Sequence, residues 1–141
     1  MTRAYNTATT QQNSGGATPV FLAGKNKIIN GNFGIWQRGT TSTSTGYFTA
    51  DRWYCATDAT ATYSQQAFTP GAAPVAGYEG QYFMRLAKNA GGSYVDMRQY
   101  VEDVRTLAGQ TLTLSFWAKC GSGTESLEPY YSQDFGSGGS G

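Results

Sequence analysis

This sequence predicts an all-β fold, on three observations. Apolar residues recur with a period of two in short runs, the runs are separated by clusters of Gly, Pro, Asn and Ser, and the i, i+3, i+4 spacing of an amphipathic helix is nearly absent. The composition agrees. With 14% aromatic residues, 19 glycines and only 13% charged residues, the chain makes its surface from Thr, Ser, Asn, Gln and Gly rather than from ion pairs. A length of 141 residues makes one domain the expectation.

The runs that predict strands are 27–36, 52–58, 60–68, 81–88, 94–101 and 111–119, with a weaker one at 127–133. Thr69, Pro70 and Gly71 form one expected turn and residues 89–92 another, because Pro presets one dihedral and Gly or Asn accepts positive φ. Residues 101–109 predict a turn of helix ended by Gly109, short enough to serve as a crossover between sheets.

Alternation is cleanest in 111–119, where Leu112, Leu114, Phe116 and Ala118 share an expected core face and Thr113, Ser115, Trp117 and Lys119 share the other. In 81–88, Tyr82, Met84 and Leu86 point one way, leaving Phe83, Arg85 and Lys88 for less buried positions. In 94–101 the apolar phase is Val95, Met97 and Val101, which turns Asp96, Arg98 and Tyr100 outward.

Five stretches carry a resemblance: KNKIINGNFGIWQRG at 25–39, TADRW at 49–53, GQYFMRL at 80–86, RQYVEDVRTLAGQ at 98–110 and TLTLSFWAK at 111–119. In this order and spacing they resemble the lectin-like jelly-roll domains of bacteriophage tail, fibre and other virion proteins, which are similar to carbohydrate-binding modules of the galactose-binding type. The resemblance implies a jelly-roll β-sandwich at 25–135 behind a short N-terminal arm at 1–24, with a Gly/Ser loop or tail at 136–141. Trp36 and Trp53 lie in the motifs that resemble the family core and are expected to be structural.

Jelly rolls of this kind usually have about eight strands or more, the last pairing with the first. Here the final strands are missing, so the sandwich is expected to be incomplete. Either the sequence is a fragment of a longer protein or a partner chain supplies the missing cover, since an open sandwich would expose long backbone edges.

The arm is polar and without period through Gly16, then carries a short apolar patch around Pro19, Val20, Phe21 and Leu22. Two readings stand: a frayed terminus whose Phe21 packs locally, or a tether, with Tyr5 and the apolar patch as docking residues, that orders in a groove of a neighbouring virion subunit. The first 16 residues hold no apolar core of a signal peptide, and no run of about 18 apolar residues occurs anywhere. A virion protein made in the host cytoplasm fits these features, its partners being other virion subunits, a homo-oligomer such as a trimer, and a host-surface glycan.

A formal net charge of +1 provides no field to steer the chain onto polyanions, and no basic, aromatic-interleaved run appears, so nucleic acid is not an expected partner. The chain has no histidine, which removes the usual general base and the commonest transition-metal ligand. Glu102 and Asp103 are adjacent carboxylates whose side chains diverge in a strand or turn, away from the geometry of glycoside hydrolysis. Cys55 and Cys120 are expected to be free thiols, and without histidine they cannot complete a zinc site. Calcium stays open, although no Asp- and Asn-rich loop of calcium spacing is present. No cofactor is expected.

What remains is a binding surface. Sugars are held by aromatic rings stacked on their C–H faces while hydroxyl, amide and guanidinium groups meet the ring hydroxyls. Trp117 on the polar face of its strand is the leading candidate, with Ser115 beside it and Tyr100 and Arg98 joining if the strands are neighbours. The more common place for such an aromatic is under a loop or in a subunit interface, and that reading of Trp117 stands beside the first. The expected function is a non-enzymatic virion structural protein, a tail-fibre or adsorption-apparatus subunit. A capsid decoration or head-fibre protein and a soluble carbohydrate-binding module are the alternatives.

Overall fold

The computed structural model describes residues 26–137. The chain divides after Gln99 into two compact units. The arm and its docking residues Tyr5, Pro19, Val20, Phe21 and Leu22 lie outside the described residues.

The first unit is all-β and antiparallel. A three-stranded sheet runs in the order β1 (Thr41–Ser42), β3 (Thr60–Ala67), β4 (Tyr82–Ala90), and a two-stranded sheet pairs β2 (Tyr54–Thr57) with β5 (Val95–Arg98). Four of these strands fall on expected runs. The strand β1 was not expected, because a two-residue strand carries no period; it exists only through its pairing of Thr41 with Ser64 and Ser42 with Tyr63.

Register explains the core. Tyr63 lies opposite Leu86 and Gln65 opposite Met84, so the expected inward face of β4 meets the face of β3 that carries Tyr63. In the other sheet Cys55 lies opposite Met97. Tyr63, Met84 and Cys55, with Ala50, form one buried cluster against which Leu86, Val95, Met97, Phe33, Trp36 and Trp53 pack. Both sheets therefore contribute to a single core, and Trp36 and Trp53 are structural as expected.

Three connections carry the chain between the sheets, and the last two are tied to each other. Asp58, between β2 and β3, accepts hydrogen bonds through Oδ1 from the amides of Ser93 (2.8 Å) and Tyr94 (2.9 Å), just before β5. The Thr57 hydroxyl donates to the Tyr94 carbonyl at 2.8 Å. Here a glycine is required: Gly92 has φ +60, and a Cβ on it would meet Ala59 Cα at 2.5 Å. The expected turn at 69–71 is also formed, with Gly71 at φ +76.

Three expected strands are not formed. Residues 27–36 are a looped corner because Asn30 (φ 53) and Phe33 (φ 52) take left-handed backbone, which no strand tolerates. The Asn30 side chain holds that corner: its Nδ2 donates to the carbonyls of Ile35 (2.9 Å) and Asp51 (3.0 Å), and its Oδ1 accepts from the Ile35 amide (3.0 Å). Trp53 Nε1 donates to the Asn30 carbonyl at 3.0 Å, so the two motifs at 25–39 and 49–53 close on each other.

Residues 111–119 and 127–133, in the second unit, form no ladder among the described residues. Alternation prepares a segment for a sheet, but only hydrogen bonds to a neighbour make it a strand. The expected core face is accordingly exposed, with Leu114 at 58% and Phe116 at 51%. The expected helical turn is a 3-10 helix at Val104–Leu107, capped by the Asp103 carboxylate on the Arg105 amide at 3.0 Å and followed by Gly109 at φ +65. Among the described residues, no helix is long and apolar enough to cross a membrane.

Candidate functional site

A row of aromatic and cationic side chains lies on the β2–β5 sheet, on the face opposite Cys55 and Met97. Register builds it. Tyr54 is directly across from Arg98 and Ala56 from Asp96, and the two-residue period puts Asp96 and Arg98 on one face. Arg98 Nη2 lies 2.5 Å from Asp96 Oδ2, and its guanidinium carbon sits 5.7 Å from the centre of the Tyr54 ring. The carboxylate thus fixes the guanidinium, which in turn covers the ring.

The row continues through a backbone bridge. Gly46 and Cys55 exchange amide-to-carbonyl hydrogen bonds of 2.9 and 3.0 Å, which brings the next residue, Tyr47, beside Tyr54. Their rings meet edge to face at 5.2 Å. Gly46 suits this place, at φ +137 with the Phe48 ring 2.6 Å from where a Cβ would stand. Arg38 then closes the far end: its Nη1 donates to the Tyr47 carbonyl at 3.2 Å and its guanidinium carbon lies 5.8 Å from the Tyr47 ring centre. Each contact is individually weak, about 0.5–1 kcal/mol for an exposed cation over a ring. Together they fix the orientation of two tyrosines and two guanidinium groups at the surface.

Burial and hydrogen bonding shift three titratable groups of the same unit. Burial pushes the Cys55 thiol above its ordinary pKa, outweighing the Thr49 hydroxyl 3.5 Å away. Burial likewise moves the Tyr63 phenol up to about 12. The Asp58 carboxyl is held down at about 2, first by the Ser93 hydroxyl and then by the Tyr94 amide. A protonated thiol, a neutral phenol and an ionised carboxylate are all moved away from the neutral range in which a general base works. Among the described residues, no three Cys, Asp or Glu side chains gather as metal ligands would.

No family model, curated protein or solved structure matches this chain. The site therefore rests on its own geometry.

Of the four residues the sequence proposed for sugar binding, Arg98 lies in the row. Tyr100, Ser115 and Trp117 belong to the second unit, where all three are exposed, Trp117 at 70%. The exposure of Trp117 is shared by Phe116 and Leu114 on the opposite phase, so it does not mark an outward face. The adjacent carboxylates do not converge on a site: Asp103 caps the 3-10 helix and pairs with Arg105 at 2.9 Å. The second unit also holds an open groove of about 570 Å³ lined by Val104, Leu107, Leu112, Tyr131 and Phe135 among others. Arg105, Gln110 and Gln133 also line it, so its surface is mainly apolar with three polar side chains at hand.

Sequence reasoning missed Arg38, Tyr47 and Tyr54. The signal for Tyr54 was present, since an inward Cys55 turns Tyr54 outward in phase with Arg98. The pairing of β2 with β5 was not readable, because no local pattern states which strands are neighbours.

Proposed function

We propose that this chain is a non-enzymatic bacteriophage virion protein, a tail-fibre or adsorption-apparatus subunit whose jelly-roll sandwich binds a host-surface glycan. Its N-terminal arm docks on other virion subunits, and the assembled form is a homo-oligomer. The observation that carries the glycan reading is the pair Tyr47 and Tyr54, oriented edge to face at the surface and flanked by Arg38 and Arg98. Tyr47 is 38% exposed, leaving ring surface for the C–H face of a sugar, while guanidinium groups and the Asp96 carboxylate suit sugar hydroxyls. The resemblance of 25–39 and 49–53 to virion lectin-like domains supplies the setting.

A second reading, a capsid decoration or head-fibre protein, is favoured by a different observation. Leu112, Leu114, Phe116, Leu127 and Tyr130 are all exposed, as an assembly surface would have them.

Glycan-array binding separates the two. The glycan reading expects the wild-type chain to bind at least one host-surface polysaccharide and Tyr47→Ala/Tyr54→Ala to lose it with an unchanged circular dichroism spectrum. Binding that survives in the double variant removes this row as the site; no binding at all leaves the assembly reading.

A further inference from the structure

We infer that the glycan this row takes is acidic, a pyranose bearing a carboxylate, and that Arg38 is the residue that selects it. The inference rests on the glycan reading above and adds the charge of the ligand. The two guanidinium groups of the row are not equivalent. Arg98 is neutralised by Asp96, with contacts of 2.5 and 3.4 Å to its two carboxylate oxygens. Arg38 is exposed, and among the described residues its contacts are the Tyr47 carbonyl and the Tyr47 ring. No carboxylate among the described residues pairs with it, so the row keeps a net charge of one cation.

Geometry makes that cation usable. A guanidinium has five N–H donors in a planar fork, and one Nη1 bond to the Tyr47 carbonyl leaves others for a bidentate carboxylate. The ring of Tyr47, its centre 5.8 Å from the guanidinium carbon, offers the adjoining apolar surface. A sugar ring packed on Tyr47 with its carboxylate on Arg38 satisfies both groups, whereas a neutral sugar leaves the charge without a counter-ion. Arg98 and Asp96, at the other end of the row, carry no net charge and suit neutral hydroxyls.

The test is an array of uronate- and sialic-acid-bearing oligosaccharides, each printed beside its methyl ester, which keeps the ring and removes the charge. Wild-type chain is expected to prefer the acid form by about tenfold, the scale of one charge-assisted hydrogen-bonded pair, and to lose that preference as salt rises. Arg38→Gln should bind acid and ester alike, and Arg38→Lys should recover part of the preference through charge alone. Equal binding of acid and ester by the wild type, or a preference that persists in Arg38→Gln, would overturn the inference and leave glycan binding standing. Absence of binding to both forms across the array would remove the glycan reading and this inference with it.

Discussion

Asp58 and Ser93 are 35 residues apart in the chain, yet the Asp58 carboxylate accepts both the amide (2.8 Å) and the hydroxyl (2.5 Å) of Ser93. This contact ties the turn between β2 and β3 to the turn that leads into β5, and so links two of the three connections by which the chain changes sheet. Gly92 permits the approach, since any Cβ there would collide with Ala59.

The Asp58 contact makes stability depend on pH. Its carboxyl titrates at about 2 in the folded chain against 3.8 ordinarily, so folding is favoured by the ionised form. The contribution is complete above the ordinary value and is lost as pH falls toward 2. Thermal melts from pH 5 to pH 2 should show the wild type losing stability more steeply than Asp58→Asn. Parallel curves would mean that the contact carries no linkage.

Tyr63 offers a sharper test of packing. It is fully buried, and its hydroxyl, near the Thr57 side chain, has no hydrogen bond of good geometry among the described residues. Removing a buried, unsatisfied hydroxyl relieves a desolvation cost of about 1–3 kcal/mol. Tyr63→Phe should therefore be neutral or more stable in urea denaturation, while Tyr63→Ala should lose about 3–5 kcal/mol by opening a cavity. Destabilisation of Tyr63→Phe beyond about 1 kcal/mol would place a partner on the hydroxyl.

Asn30 joins the stretches at 25–39 and 49–53. Replacing it by Ala removes three hydrogen bonds, to the Ile35 amide and carbonyl and to the Asp51 carbonyl, and puts a less tolerant residue at φ 53. A loss of about 2–3 kcal/mol is expected from the net worth of such bonds. Asn30→Asp should recover little, because it keeps the acceptor for the Ile35 amide and faces the two carbonyls with a carboxylate. An Asn30→Ala chain as stable as wild type would show that the corner is held by the tryptophans alone.

The two cysteines should react very differently. Cys55 is 1% exposed and its thiol is pushed up by burial, whereas Cys120 is exposed. A maleimide added to native chain should label Cys120 within minutes and Cys55 only on denaturation, as read by mass spectrometry of the peptides. Equal labelling would mean that the core opens on the same timescale.

Much of the first unit was legible because its strands are locally patterned. The inward phase of β4 at Met84 and Leu86 and that of β5 at Val95 and Met97 follow from alternation alone, and so does the outward placing of Arg98. Two kinds of feature were not legible. The corner at 27–36 reads as apolar and extended, but the left-handed backbone of Asn30 and Phe33 goes with contacts to Asp51 and Trp53 that lie elsewhere in the chain. The row of Tyr47, Tyr54 and Arg38 depends on a bridge at Gly46 and on which strand lies beside β2, both of which are tertiary facts. Residues 111–119 show the converse, a clear local pattern whose apolar face is exposed for want of a neighbouring strand among the described residues.

The measurement that tests the central claim most directly is a side-chain NMR titration of the chain with a glycan it binds on the array. The largest shifts should fall on the rings of Tyr47 and Tyr54 and the guanidinium groups of Arg38 and Arg98, while the indole of Trp117 stays in place. Shifts centred on Trp117 and Ser115, with the tyrosine row unmoved, would contradict the account and move the site to the second unit.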